Sequence, residues 1–425
     1  MKNATLSIAA VLALFFAASA FAQRAPSTAA TTLSLRQAVA EAVLRNPNRV
    51  RAANEVTAAD FDRDAAEWGR FPTVTVDAGR AQSAHSVAPT STVRVEQPLW
   101  AGGRIEGQID SARALLSAAE LAEADSRRRL AEETAVAYVA WLDAAARVEI
   151  AREGAGALAD LLRYVRRREA EGLASLADVS IGKARDSSAL ALVEDLNGAL
   201  DQARAQLEAL MMTQIERGFP VSVPAFPDYS VADLEAAYIA NSPLIAQRRS
   251  EVESVRAQAA VRRAALFPRL ALRFERLTYP NNGGLTPATD SRAMLVLQFT
   301  PDAGLASYSG SQAAETRIGS ALAQVAADEN DARLRARANW AEQMSSRRQL
   351  AALEPQVAAL DATMASFLRQ FEAGRKSWLE ILNTQRELVD ARIALSRART
   401  SRDQSALRLM VNTGAFWPWL EKLPR

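Results

Sequence analysis

Two very long helical patterns, each followed by a short turn that contains one glycine, constrain this chain more than any other feature. Residues 104–170 contain no proline and are rich in alanine, leucine, arginine and glutamate. They predict one continuous helix of about 100 Å, at 1.5 Å per residue. A second such helix is predicted over about residues 309–373. Helices of globular domains are usually far shorter, so we expect an extended helical body.

Each long helix is predicted to end at a turn and to be followed by another helix. Gly172 and Gly374 stand just after the last helical turn, where a left-handed residue commonly ends a helix. In both turns a serine then precedes a new apolar-periodic run, and an acidic residue follows three positions later, which is the capping-box arrangement. These pairs are Ser175 with Asp178, and Ser377 with Glu380. Each turn is therefore typical of a helix–turn–helix tip.

The two halves of the chain resemble each other. Setting Pro47 against Pro243 without gaps also aligns the Phe-Pro steps at residues 71–72 and 267–268. A period of about 200 residues indicates duplication of a whole unit rather than a solenoid. The predicted organisation is a signal peptide (1–22), a first repeat (23–213), a linker (214–228), a second repeat (229–413) and a C-terminal tail (414–425). Each repeat contains helix, hairpin, long helix, tip and helix, with hairpins at about 71–99 and 267–300 and tips at about 171–178 and 373–380.

Period-two alternation replaces the helical pattern after each Phe-Pro step. Residues 73–76, 93–96 and 270–275 alternate polar with apolar side chains, and a returning strand is predicted at 293–299. The apolar alternates suit one lipid-facing side, and strands of about 9–11 residues are enough to cross a bilayer. Four strands cannot close a barrel, and open sheet edges do not occur in hydrocarbon. A membrane-spanning sheet would therefore need several chains. The alternative, hairpins packed in a soluble α+β protein, leaves the long two-sided helices uncovered.

The helices carry a seven-residue apolar repeat, which predicts coiled-coil packing. In the last helix it consists of Ile381, Leu388, Leu395 and Leu409, with Arg402 as the one break and with Thr384, Ala391, Ala398 and Ser405 three positions after each. The first half has a similar seam at Val179, Val193, Leu200 and Leu207. An isolated coiled-coil rod is the alternative interpretation of this seam taken alone.

The N-terminus predicts export. Lys2 supplies a positive charge, residues 6–18 are apolar, and Ala20-Phe21-Ala22 fits the small-x-small rule for cleavage before Gln23. A membrane anchor is the alternative, but the apolar segment is short for a spanning helix. No other apolar run reaches about 18 residues, so we expect an exported protein without a transmembrane helix.

Composition argues against most kinds of enzyme and metal site. Lys and Arg number 51 against 49 Asp and Glu, so no excess charge indicates a nucleic-acid partner. There is no cysteine, which excludes disulfides, thiolate metal sites and thiol catalysis. His85 is the only histidine, so a histidine-based triad or multi-histidine metal site is not expected. We predict that the chain is not an enzyme and has no catalytic residues, cofactor or metal.

Taken together, these features resemble the TolC family of outer-membrane channel proteins. The duplicated layout, the Phe-Pro steps, the Gln-Pro-Leu-Trp-Ala-Gly-Gly segment at residues 97–103 and both glycine tips carry the resemblance, which extends over about residues 33–414. It implies a fold that is mainly α with β hairpins, in a homotrimer. The three chains would pool twelve strands in an outer-membrane β-barrel, and their long-helix coiled coils would form a periplasmic α-barrel. The second tip, residues 374–387, most resembles members that serve type I secretion.

The resemblance also implies a latch that closes the tunnel at the tips. Asp178 and Lys376 match the latch positions, and Glu380 and Asn383 match an acidic ring at the constriction. Lys376 stands where an arginine is common and loses bidentate pairing. Asn383 replaces a carboxylate, so the ring keeps only Glu380. For both acids the alternative role is helix N-capping, and the two roles can coexist.

The family further implies that a periplasmic adaptor (membrane-fusion protein) docks on the tips. The matching candidates are Gly172, Leu173, Ser175, Gly374, Ser377 and Trp378. Trp378 is either an exposed anchor for this partner or a residue packed against its own neighbours. Arg269, Arg273 and Glu275 are expected to face the barrel lumen. The aromatic tail at residues 416–420 is expected to pack against the tunnel's outer waist.

Three functions follow from this interpretation. The first is an outer-membrane exit duct, a passive conduit through which an inner-membrane ABC exporter and its adaptor secrete a polypeptide. The second is the same duct joined to a proton-driven pump for small toxic molecules. The third is a periplasmic coiled-coil scaffold without a pore. The first two predict contact with outer-membrane lipid and a long periplasmic extension.

Overall fold

A computed structural model describes residues 32–82, 87–281, 286–300, 304 and 306–423 of this chain. The predicted signal peptide and His85 lie outside the described residues. The first half contains β1 (Thr32–Leu33), α1 (Leu35–Arg45), α2 (Pro47–Trp68), β2 (Thr73–Gln82), β3 (Val87–Trp100), α3 (Arg104–Ala170) and α4 (Leu176–Met211). The second half contains β4 (Arg217–Gly218), α5 (Val231–Ala240), α6 (Pro243–Ala264), β5 (Arg269–Asn281), β6 (Thr286–Gln298), α7 (Ala306–Glu372), α8 (Trp378–Asn412) and α9 (Phe416–Leu420).

The two halves share an order of elements, namely a pair of helices, a β-hairpin, a long helix, a tip and a further helix. The predicted fold class, mainly α with β hairpins, is confirmed. Pro47 and Pro243 begin α2 and α6, and the side chains of Asn46 and Ser242 cap these helices. Proline suits a first helical position, because the N–H that it lacks would have no partner there. Each of these prolines therefore separates two helices.

The long helices α3 and α7 have 67 residues each and are about 100 Å long. Toward the sheet, α3 packs against α2 and α6, with Ser111 Oγ 3.0 Å from Ser254 Oγ. Toward the tips, α3 packs against α4 and α8, and α7 packs against α8. Within the described residues, no helix combines the length and the apolarity that crossing a membrane requires.

Helix α8 buries the seam that its sequence predicts. The buried seam residues are Ile381, Thr384, Leu388, Ala391, Leu395, Ala398, Ser405 and Leu409. Arg402, which interrupts the seam, forms an ion pair with Asp403. In α4 the buried positions include Val179, Gly182 and Val193. A seven-residue repeat keeps one stripe turned toward the partner helix, and the small residues within it allow the helices to approach closely.

The four longer strands form one antiparallel sheet in the order β2–β3–β5–β6. β3 pairs with β5, so the hairpins of the two halves meet in the middle of the sheet. Side chains alternate between the two faces, and one face carries exposed apolar side chains, namely Val74, Val76, Leu272, Phe274, Leu295 and Leu297. Leu295 and Leu297 are 64% and 69% exposed. The single chain therefore leaves a wide apolar face uncovered.

A packed waist joins the two halves beside α3. β1 and β4 form a short parallel pair, and the hydroxyl oxygen of Tyr138 lies 2.7 and 2.8 Å from the carbonyl oxygens of Leu33 and Phe219. Burial raises the pKa of Tyr138 to about 12, so this hydroxyl remains a neutral donor. The tail forms α9, which buries Phe416 and Leu420 in the same apolar core.

Candidate functional site at the paired helix tips

Both tips end their long helix with the same hydrogen-bond pattern. Gly172 and Gly374 have φ angles of 73° and 70°, in the left-handed region that favours glycine. In each tip the N–H of the next residue donates to the carbonyl five residues earlier, at 2.7 Å for Leu173 and 2.8 Å for Arg375. This is the Schellman ending. A Cβ added at either glycine would meet no atom within 4 Å, so both turns are open to a partner.

The helix that follows each tip begins with the predicted capping box. Ser175 Oγ accepts from the Asp178 N–H at 3.1 Å, and Asp178 Oδ2 accepts from the Ser175 N–H at 3.1 Å. Ser377 Oγ accepts from the Glu380 N–H at 3.3 Å, and Glu380 Oε2 accepts from the Ser377 N–H at 3.0 Å. Both predicted capping boxes are confirmed. Each carboxylate therefore holds the first turn of its own helix.

Lys376 is bound within its own tip. Its Nζ lies 2.7 Å from Glu380 Oε1 and 4.1 Å from the centroid of the Phe367 ring, so an ion pair and a cation–π contact hold the ammonium group. Among the described residues of this one chain, no ion pair joins Lys376 to Asp178. Asn383 is exposed one turn beyond Glu380 along α8. The four predicted latch residues thus lie at the tips, but only Lys376 and Glu380 pair directly.

Hydrogen bonds keep Glu380 ionised. The ammonium group of Lys376, followed by the backbone N–H and the hydroxyl of Ser377, lowers the pKa of this carboxyl from 4.5 to about 2. Donors that bind the charged form favour it over the neutral form. Glu380 therefore carries its charge throughout the physiological pH range, and Lys376 partly offsets that charge.

Trp378 lies inside the tip and is only 6% exposed. Its indole Nε1–H donates to the Asp178 carbonyl oxygen at 3.0 Å, which links the second tip to the first. Gly182 makes room for the ring, because a Cβ there would lie 3.2 Å from Trp378 Cζ2 and 2.8 Å from Leu162 Cδ1. The sequence allows two roles for Trp378. In the structure its side chain packs against its own neighbours, so the indole is not an exposed anchor for a partner.

Aromatic side chains that the sequence interpretation missed fill the space between the tips. The ring centroids of Tyr164 and Phe371 are 5.6 Å apart, and those of Phe371 and Trp378 are 5.8 Å apart. The guanidinium carbon of Arg168 lies 5.8 and 5.6 Å from the Tyr164 and Phe371 centroids. The sequence signal for this cluster is the presence of aromatic residues in the last turns of each long helix before its glycine, namely Tyr164 in α3 and Phe367 and Phe371 in α7.

The outer surface of the first tip is apolar. Leu173 is 63% exposed and Leu176 is 70% exposed, although only Leu173 was singled out from the sequence. The other predicted docking residues are also exposed, namely Gly172, Ser175, Gly374 and Ser377. Two unpartnered leucines beside an open glycine turn form a surface suited to an apolar partner.

A groove lies just behind the tips, among α3, α4 and α8. Its volume is about 170 Å³, and its lining includes Gly154, Leu192 and Val389, with Arg185 and Asp390 also on the wall. This lining suits an apolar side chain. Among the described residues, no group of three or more His, Cys, Asp or Glu side chains is placed to hold a metal ion.

At the opposite end of the chain, the second face of the sheet is polar. It carries the three residues predicted to face a lumen, namely Arg269, Arg273 and Glu275. Glu275 is buried beneath arginines, with Arg94 Nε 2.7 Å from Oε1 and Arg292 Nη2 2.8 Å from Oε2. Arg273 Nη2 lies 2.7 Å from Glu96 Oε2. These ion pairs connect β3, β5 and β6 across the junction of the two hairpins.

Comparison with known proteins places this architecture among outer-membrane channels. The family model described as outer membrane efflux protein matches residues 19–211 and 236–415. Among solved structures, CusC has 17% identity and a TM-score of 0.80, with 89% of this chain and 91% of that chain covered. The outer-membrane channel OprN has 20% identity and a TM-score of 0.79, with 90% of each chain covered. VceC from Vibrio cholerae has 18% identity and a TM-score of 0.74, with 90% and 96% covered.

Among curated proteins, no similar sequence is found. At identities this low, the structural matches concern the fold alone.

Proposed function

Because the chain belongs to the outer membrane efflux protein family, we propose that three copies of it form the exit duct of a tripartite export system. Members of this family are outer-membrane proteins, and the long helices form the periplasmic part. The duct is a passive conduit. A periplasmic adaptor docks on the tips, and an inner-membrane transporter supplies the energy.

The four-stranded sheet is the observation that carries this proposal. One face exposes apolar side chains, and β2 and β6 are edge strands. In hydrocarbon each unpaired backbone group costs several kcal/mol, so an open sheet cannot remain there. Pairing β2 of one copy with β6 of the next closes three sheets into a barrel of twelve strands. The apolar face then meets lipid, and the face with Glu275 and its arginines lines the lumen.

The helices support the same cyclic contact. Phe61 on α2 lies half a helical rotation from the buried Ala52, so it points away from its own chain. With Val50 and Trp68 it forms an exposed apolar stripe. On α7 a stripe of small exposed residues includes Ala313 and Ala323. We propose that the large residues of one copy pack against the small ones of the next.

The tips are the proposed gate. In the assembled duct, Glu380 and Asn383 line the constriction, and Asp178 and Lys376 link neighbouring copies. Such a link competes with the bond between Lys376 and Glu380 within the tip, so each contact is weak. Exposed ion pairs contribute about 0–1 kcal/mol each, and adaptor binding at Gly172, Leu173 and Gly374 is therefore enough to open the gate.

For the cargo, we propose a polypeptide exported by a type I secretion system with an ABC exporter. The support is the second tip, residues 374–387, and its similarity to members that serve such systems. The alternative is a proton-driven pump for small toxic molecules, which the efflux description of the family favours. Deleting the gene separates the two: loss of one secreted polypeptide supports the first, and sensitivity to toxic compounds without that loss supports the second.

The duct and its gate are tested by single-channel conductance of the purified protein in a planar bilayer. Wild type is compared with Asp178→Asn plus Lys376→Gln, which removes both charges and keeps a hydrogen-bond acceptor for the helix cap. We expect brief, small openings in wild type and longer, several-fold larger openings in the double variant, because the links between copies are lost.

Lys183→Gln is the matched control, since Lys183 is an exposed lysine on α4 beyond the first tip. If wild type conducts and the double variant shows the same openings, the proposed latch is wrong, whereas the proposed duct is still supported. A folded protein that never inserts would instead support a periplasmic scaffold without a pore.

A further inference from the structure

The two faces of the sheet differ in the sign of their charges. Strand register places every carboxylate of the described sheet on the polar face, and these are Asp77, Glu96, Glu275 and Asp290. On the apolar face the described charged residues are Arg80 and Arg276. A face whose charged residues are all positive complements an anionic partner.

Arg276 lies where the apolar rows of this face end. The row Val74–Val95–Phe274–Ala293 is apolar, and the next row away from the helices is Val76–Val93–Arg276–Ser291. In the row after that, three of the four side chains carry a hydroxyl group, namely Ser91, Thr278 and Thr289, and the fourth residue is Ala78. The guanidinium group therefore stands at the border between an apolar band and a hydroxyl-rich band.

The arginines of the polar face and Arg276 on the apolar face differ in whether they form ion pairs. On the polar face, Arg94, Arg273 and Arg292 each form an ion pair. Arg276 is exposed, and within the described part of the chain it has no ion pair or side-chain hydrogen bond. A charged side chain on a lipid-facing surface is costly near the middle of the bilayer and tolerated near its border. A group from the bilayer would give the guanidinium group of Arg276 the partner that it lacks within the chain.

We propose that Arg276 binds the phosphate of an anionic lipid headgroup, with Ser91, Thr278, Thr289 and Ser291 as neighbouring hydroxyl donors. The planar guanidinium group pairs with phosphate through two parallel hydrogen bonds. Because the helices extend from the other end of the strands, this headgroup belongs to the outer leaflet. Arg80, further toward the same end of β2, lies on the same face and extends the positive border. The proposal rests on the proposed function, since it requires the apolar face to meet lipid.

The test is native mass spectrometry of the purified full-length protein with phosphatidylglycerol or with phosphatidylcholine of the same acyl chains. We expect wild type to retain the anionic lipid preferentially. Arg276→Gln should weaken its retention about fivefold, the effect of one arginine at an anionic surface. Arg276→Lys should retain more anionic lipid than Arg276→Gln but less than wild type, because the charge remains and the paired hydrogen bonds are lost. Arg269→Gln is the matched control, on the same strand but on the polar face.

Equal retention of the two lipids by wild type would overturn the proposal, as would an equal loss in Arg276→Gln and Arg269→Gln. Displacement of the lipid by millimolar inorganic phosphate would also overturn it, because the site would then take free phosphate. Heat-resistant trimers and channel conductance are measured on the same preparations. Trimers that conduct but show no anionic preference refute only this inference, whereas wild type without trimers or conductance refutes the duct itself.

Discussion

At the residue scale, the carboxylate of Glu380 receives three donors. Lys376 Nζ binds one oxygen at 2.7 Å, and the Ser377 N–H and hydroxyl bind the other at 3.0 and 2.8 Å. The pKa of Glu380 in the folded protein, about 2, lies below its ordinary value of 4.5. Ionised Glu380 therefore stabilises the tip fully above about pH 4.5, and this stabilisation is lost as the pH falls from there through about 2.

Glu380→Gln keeps the helix cap but removes the charge, so it isolates this effect. We expect the variant to unfold at a lower temperature than wild type at about pH 6, with a difference that disappears as the pH approaches about 2. Thermal unfolding followed by circular dichroism across this pH range measures it. Glu387→Gln, an exposed change on the same helix, is the control. A difference that stays constant down to about pH 2 would contradict the low pKa of Glu380.

At the element scale, close approach between α3 and α8 depends on one glycine. A Cβ added at Gly154 would lie 2.5 Å from Val389 Cγ2, whereas one added at Gly156 would meet nothing within 4 Å. The two glycines are two residues apart on α3 and face different surroundings. The same substitution should therefore have opposite effects at the two positions.

Gly154→Ala should destabilise the protein by about 1–3 kcal/mol, because the extra methyl group overpacks the contact with Val389. Gly156→Ala should stabilise it by up to about 1 kcal/mol, since alanine favours the helix more than glycine does. Unfolding midpoints in urea, measured side by side, compare the two. If Gly154→Ala were as stable as Gly156→Ala, α3 and α8 would have to separate at little cost.

At the scale of the whole molecule, the isolated chain leaves two kinds of surface unsatisfied. The sheet has two open edges and one exposed apolar face, and α2 exposes Val50, Phe61 and Trp68. Burying one such aromatic side chain contributes about 1.5–3 kcal/mol, and a cyclic trimer repeats each contact three times. The proposed assembly should therefore depend strongly on this stripe.

Phe61→Arg should dissociate or weaken the proposed trimer, because a charge replaces an apolar contact at every proposed interface. Light scattering of the detergent-purified protein gives the mass of the assembly, and resistance to heating in detergent gives its strength. Glu55→Arg, on the same helix but off the stripe, should leave both unchanged. A Phe61→Arg protein with the full mass and heat resistance would show that α2 faces lumen or solvent.

Features that depend on neighbours in sequence were predictable. The capping boxes of Ser175 and Ser377 join residues three apart, and the α8 seam is a seven-residue repeat. Alternation in the strands also predicts which side chains share a face, so Arg273 and Glu275 could be placed opposite Leu272 and Phe274. Such patterns need only the geometry of one element.

Features that join distant parts of the chain were not predictable from the sequence. Whether Trp378 is exposed depends on Gly182 and on the Asp178 carbonyl, which belong to the other tip. The ion pair between Arg94 and Glu275 exists because β3 pairs with β5 across the two halves. The sequence by itself determined the helices, tips, strands and their faces, because these follow from local hydrogen bonding and periodicity. Only the tertiary structure decided which tip, strand and side chain meet, because those contacts depend on how separate elements pack in space.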